Sequence, residues 1–141
     1  MNNIIVENIH SGNYAKAFGL LNAEQESDIK NFIIDYAYSS ESIDAYSFVR
    51  YASDRTNKKF WIELAIELLL NPLCFVEGAY STALFHTREL LERDRSVINL
   101  EQLLYFYKIP EKLVSRDEAE SIAIEILKRN PQSKIASSVM K

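Results

Sequence analysis

Three observations predict an all-α fold of about eight short antiparallel helices, arranged as a helical-repeat-like superhelix or an irregular bundle. The chain of 141 residues contains 3 Gly and 3 Pro, too few for the many tight turns of a sandwich or barrel. Leu, Ile, Ala, Glu and Lys are plentiful, and these are residues that lose little on entering a helix. Apolar residues recur at intervals of three and four along nearly the whole chain, the period of a helix with one buried face. At 48% hydrophobic and 26% charged, the length suits one globular domain, residues 1–141, able to bury its own core.

Residues 1–10 hold an apolar run, Ile4-Ile5-Val6, that no periodicity assigns. After Ser11-Gly12, the spacing of Tyr14, Ala17, Phe18 and Leu21 predicts a short helix. Asn22 and Gln25 resemble a capping pair that opens the next helix, in which Ile29, Phe32, Ile33, Tyr36 and Ala37 form the inner face. Ser39-Ser40 ends it, and Ala45, Phe48, Val49 and Ala52 form the inner face of a third. Asn57 is placed to cap a helix over Lys58 to Leu70. Its polar strip is only Lys59, Glu63 and Glu67, which predicts a central position. Asn71-Pro72 stops it, and Leu73-Cys74-Phe75-Val76 places the single cysteine where a thiol behaves as a small buried apolar group.

A helix from about Glu77 to Asp94 follows, with Tyr80, Ala83, Leu84, Thr87 and Leu91 inward. Arg88/Glu92 and Glu89/Arg93 are set as i, i+4 pairs on its wet side. Leu100, Leu103, Leu104 and Tyr107 mark a shorter helix, and Pro110 is placed to start one further turn. Ser115 with Glu118 forms a capping box before Ala119, Ile122, Ala123, Ile126 and Leu127. Asn130-Pro131 ends that helix, and Ile135, Ala136, Val139 and Met140 belong to a last amphipathic segment. Ala83, Leu91, Arg93 and Asp94 align with Ala119, Leu127, Arg129 and Asn130 at a spacing of 36, near the period of helix-pair repeats.

Charge is uneven. The net −4 falls entirely in residues 1–71, and between 24 and 54 seven acids face only Lys30 and Arg50. A duplex or an anionic lipid surface is repelled by such a region. The basic cluster Arg50, Arg55, Lys58 and Lys59 sits among those acids, which offset its field, so no nucleic-acid partner is expected. The segment Leu64 to Val76 is interrupted by Glu67, Asn71 and Pro72 and is too short to span a bilayer. With no basic and apolar leader at the N-terminus, the expected compartment is the cytoplasm.

Chemistry-bearing constellations are scarce. His10 and His86 have no second histidine at metal-ligand spacing. Cys74 lies in apolar surroundings that disfavour a thiolate. Glu63 and Glu67 lack the Glu-x-x-His elements of carboxylate metal bundles. No Gly-rich phosphate loop is present. These features imply no enzyme, no catalytic residue, no metal and no cofactor. What stands out instead is a repeated stripe: Asp28, Asn31, Asp35 and Tyr38, then Asp44, Ser47, Tyr51 and Asp54. Each set steps by three or four residues and so makes one helix face opposite the apolar one. An ordinary solvated face accounts for it equally. As an interface, its tyrosines supply rigid contact area and its acids steer a basic partner.

The short acidic chain, its helix pairs ending in Glu92-Arg93-Asp94 and Lys128-Arg129-Asn130-Pro131, and the surplus acid beside Tyr together resemble the small acidic all-helical immunity proteins of bacterial contact-dependent and other polymorphic toxin systems. Residues Asp117 to Ala136 also resemble a tetratricopeptide-like helix pair, although the Trp, Gly and Tyr of that repeat are absent. The first resemblance implies a non-enzymatic inhibitor that occludes the active site of a cognate basic toxin domain, such as a ribonuclease. Asp28, Asp35, Tyr38, Asp44, Ser47, Tyr51 and Asp54 are the expected contacts. The alternative is a helical-repeat adaptor that holds a peptide in a groove.

Overall fold

The computed structural model describes residues 3–141 and is helical throughout, with nine helices and no strand among the described residues. Backbone contacts divide the chain into two compact units, residues 1–83 and 84–141.

The first unit contains α1 (Asn3–His10), α2 (Tyr14–Leu21), α3 (Glu26–Ser40), α4 (Asp44–Thr56) and α5 (Lys59–Leu70). The unassigned N-terminal run is thus a helix, and Ile5 and Ile9 are its buried anchors. Helix α5 is buried on most of its circumference through Trp61, Ile62, Leu64, Ala65, Ile66, Leu68 and Leu69, and it packs on α4 and α3. Its centrality follows from the narrow polar strip expected from the sequence. Helices α1 and α2 also pack on α4 and on each other. Rings from three helices interlock there: Tyr14 and Phe18 of α2, Phe48 and Tyr51 of α4, and Phe60 and Trp61 of α5, with neighbouring centroids 5.0–6.3 Å apart. Edge-to-face pairs of this kind add about 0.5–1.5 kcal/mol each beyond the area they bury.

Several local expectations change. Helix α3 starts after Gln25, whose side chain makes no cap bond, while Asn22 ends α2. Asn57 does not cap α5. It ends α4 in the left-handed conformation, φ 55°, with its N–H donating to the Ser53 carbonyl, and Lys58 precedes α5. Asparagine tolerates that conformation better than other side-chain-bearing residues, so the same residue type served the opposite end. Residues 71–78 form successive turns that send Pro72 and Leu73 inward and leave Cys74 and Phe75 exposed. The cysteine is therefore not a core residue: in a turn the apolar neighbours of a side chain do not share its direction.

The division between the units falls within α6 (Ala79–Arg93), and the second unit continues through α7 (Val97–Lys108), α8 (Arg116–Arg129) and α9 (Lys134–Val139). Ser96, Ser115 and Ser133 are N-caps whose hydroxyls accept from the amides of Asn99, Glu118 and Ala136. Pro110 starts no helix and lies in a turn that reverses through Lys112 at φ 44°. Of the residues aligned at a spacing of 36, Ala83 and Ala119 are both buried and Arg93 and Arg129 both exposed, whereas Leu91 is buried and Leu127 only half-buried. Helix α8 packs against α7 and α9, and α7 also meets α9. No described helix is long and apolar enough to cross a membrane.

Candidate functional site

Helix α3 carries its two faces as the sequence predicts except at Phe32, expected inward but only half-buried. Ile29, Ile33, Tyr36 and Ala37 are buried, while Asp28, Asn31, Asp35 and Tyr38 are exposed, the tyrosine at 57%. The side chains of Asp28, Asp35 and Tyr38 make no hydrogen bond or ion pair with any described residue. Lys30, the only base in α3, points the other way, its Nζ 3.2 Å from Glu67 Oε2 of α5. The outward side of α3 is therefore an uncompensated acidic strip with a tyrosine at its end.

The second stripe does not behave like the first. Asp44, at the first position of α4, is turned inward with 16% of its side chain exposed. Its Oδ1 accepts a 2.8 Å hydrogen bond from the Tyr36 hydroxyl of α3, and its Oδ2 lies 3.3 Å from His10 Nδ1 of α1. Burial pushes the Tyr36 phenol well above its ordinary pKa, and the neighbouring carboxylate adds to the shift. Tyr51 is not an outward anchor either, since it packs on Tyr14 and Phe18 of α2 with the Arg55 guanidinium 4.9 Å from its ring centroid. Ser47 is half-buried, and Asp54 is exposed beside Arg50 at 3.9 Å. The cause is geometric. On α4 this stripe lies closer to the apolar face than its counterpart on α3 does, and α1 and α2 pack over that edge. The two stripes thus form no single face: Asp44 and Tyr51 tie helices together, and the free acidic surface is that of α3.

Sequence reasoning missed a groove beside that surface. Val6 of α1 and Phe32, Asp35, Tyr36, Ser39 and Ser40 of α3 enclose an open, mostly apolar depression of about 400 Å³. The row Asp28, Phe32, Asp35, Ser39 at i, i+4, i+7 and i+11 was legible, but its facing wall on α1 was not.

In the second unit the charges are matched. The Arg88 guanidinium donates to both Glu118 oxygens at 2.6 and 2.9 Å, and Arg95 to both Glu125 oxygens at 2.8 Å. These bidentate pairs join α6 and the residues after it to α8, in place of the Arg88/Glu92 pair expected within α6. Each arginine holds its glutamate below the ordinary carboxylate range through hydrogen bonding. Glu118 therefore completes only half of a capping box, because its side chain is taken by Arg88. Glu89 pairs with buried His86, their Nδ1 and Oε1 3.0 Å apart. No group of three or more potential metal ligands clusters among the described residues. No protein-family model, curated protein or solved structure matches the chain.

Proposed function

We propose that this chain is a non-enzymatic cytoplasmic binding protein, an immunity protein that neutralises a cognate basic toxin domain by laying the acidic face of α3 across its active site. The observation that carries this reading is the exposed, uncompensated set Asp28, Asp35 and Tyr38, with Lys30 turned away to Glu67. Carboxylates held where a nuclease binds phosphates exclude substrate by occupation and by charge, and they speed encounter with a basic surface. Tyr38 supplies apolar contact with a polar tip at small entropy cost.

The test is co-expression with the toxin domain encoded beside this chain's gene. The wild type is expected to restore growth and bind the domain. The pair of substitutions Asp28→Lys and Asp35→Lys is expected to fold normally, bind more slowly at low salt and lose protection. Full protection by that variant sinks the assignment of the site.

The alignment of α6 with α8 at a spacing of 36 supports a second reading, a helical-repeat adaptor. Under it the binding face is α6 and α8, around exposed Phe85 and Ile124, and substitutions on α3 have no effect on binding.

A further inference from the structure

We infer that the groove beside Asp35 anchors an amphipathic helix of the partner, one that carries a single aliphatic or aromatic side chain between two basic residues seven positions apart. This rests on the binding reading above and specifies the segment bound.

The groove is lined by Val6, Phe32 and Tyr36 together with Asp35, Ser39 and Ser40. Tyr36 is held in place, because it is 8% exposed and its hydroxyl is engaged by Asp44. An apolar occupant therefore removes water from apolar walls without displacing a hydrogen bond. Asp28 and Asp35 stand on either side of Phe32 along α3, seven residues apart, about 10.5 Å along the helix axis. Both carboxylates are exposed and make no ion pair with a described residue, so an acidic occupant is repelled and a basic one attracted.

The spacing selects secondary structure as well as charge. Two bases seven positions apart on a partner helix are separated by the same two turns, and a residue three or four positions from each lies on the same face between them. On a strand the anchor shares a face with bases two residues to either side, which stand about 13 Å apart, so the two turns of a helix are the closer match to the spacing of Asp28 and Asp35.

The test is titration of the isotopically labelled full chain with a capped, alanine-rich helical peptide containing Lys-x-x-x-Leu-x-x-Lys, followed by amide shift mapping and fluorescence anisotropy. One control peptide has the Leu replaced by Ser, and the other has both Lys replaced by Gln. Shifts are expected at Val6, Phe32, Asp35 and Ser39. The parent peptide is expected to bind about tenfold more tightly than the Ser control, and about fivefold more tightly than the Gln control at low salt. The latter difference should vanish at high ionic strength. Ser39→Arg, at an exposed site, should block the groove without disturbing the core.

Absence of shifts in the groove, or equal binding of the Ser control, overturns the inference. So do groove shifts that grow with protein concentration in the absence of peptide, because a second copy of the chain is then the occupant. If the groove ignores the peptide while charge reversal on α3 still abolishes protection, the inference falls and the toxin-binding reading stands. If the peptide seats in the groove but charge reversal leaves protection intact, the toxin reading falls and the groove stands.

Discussion

The Tyr36–Asp44 contact offers a sharp test of how the first unit is held, because removing one partner should cost more than removing both in proportion. Asp44→Ala deletes the acceptor of a 2.8 Å bond from a tyrosine that is 8% exposed. A bond to a charged group is worth about 1.5–3 kcal/mol, and a carboxylate at a helix N-terminus adds about 0.5 kcal/mol. The substitution is therefore expected to cost about 2–3 kcal/mol, a fall of about 6–10 °C in Tm. Tyr36→Phe leaves Asp44 near His10 and in reach of water, and should cost about 1 kcal/mol. In the double variant no hydroxyl is orphaned, so its loss should be about 1 kcal/mol smaller than the sum of the single losses. Urea unfolding followed by circular dichroism and by Trp61 fluorescence measures all three.

The pH dependence follows from the direction of the Tyr36 shift. The folded state holds the phenol protonated, with a pKa raised above the unfolded value. Its contribution is therefore complete below about pH 10, the ordinary tyrosine range, and is lost as pH rises through the higher folded value. The wild type should lose stability above about pH 10 more steeply than Tyr36→Phe. Additivity of the two substitutions within about 0.3 kcal/mol, together with identical alkaline slopes, refutes the reasoning.

Asn57→Gly is expected to stabilise the chain by about 0.5 kcal/mol and Asn57→Ala to destabilise it by about 1 kcal/mol, since Asn57 sits at φ 55° as the end of α4; the opposite order in thermal denaturation indicates a helix-opening role. Cys74, exposed in the 71–78 turns, should react fully with a maleimide in the native protein, and labelling only after denaturation contradicts the turn geometry. Glu118 and Glu125 have folded pKa values lowered by Arg88 and Arg95, so their contribution is present above the ordinary glutamate range and is lost as pH falls through the lower folded values. The Glu118→Gln, Glu125→Gln variant should trail the wild type by no more than about 1 kcal/mol per pair at pH 7, because the groups are partly exposed, and the gap should close in strong acid. A gap that widens on acidification contradicts the paired geometry.

What the sequence revealed was what one helix reveals about itself. The outer face of α3, its inner residues Ile29, Ile33, Tyr36 and Ala37, and the inner face of α4, Ala45, Phe48, Val49 and Ala52, follow from period alone and are found as predicted, whereas Phe32, expected inward, is half-buried at the groove. The centrality of α5 follows from its three-residue polar strip. Errors arose where a second element decides the outcome. Tyr51 has the same sequence environment whether or not α2 covers it, and Asp44 gives no hint that Tyr36 and His10 arrive from two other helices. Arg88 had an acceptable partner four residues on and took a better one thirty residues on, where the fork of the guanidinium meets both carboxylate oxygens. Asn57 was ambiguous between the end of one helix and the start of the next, because asparagine suits both positions. The groove was hidden for the same reason as α1: Ile4-Ile5-Val6 shows apolarity without a period long enough to assign.

The division of charge between the two halves of the chain has a structural counterpart that bears on function. In residues 84–141, Arg88, Arg95 and Arg116 each hold a glutamate, so charge there is spent on joining and supporting helices. On α3 the acids have no such use. Asp28 and Asp35 stabilise no described neighbour, and Glu26 and Asp28 in the first turn gain only the modest attraction of the helix N-terminus. At seven residues apart the two aspartates repel each other only weakly, and each is open to an approaching base. Because Asp28 and Asp35 support no described neighbour, charge reversal there should leave the helices intact, so that any effect on association reports on the surface itself.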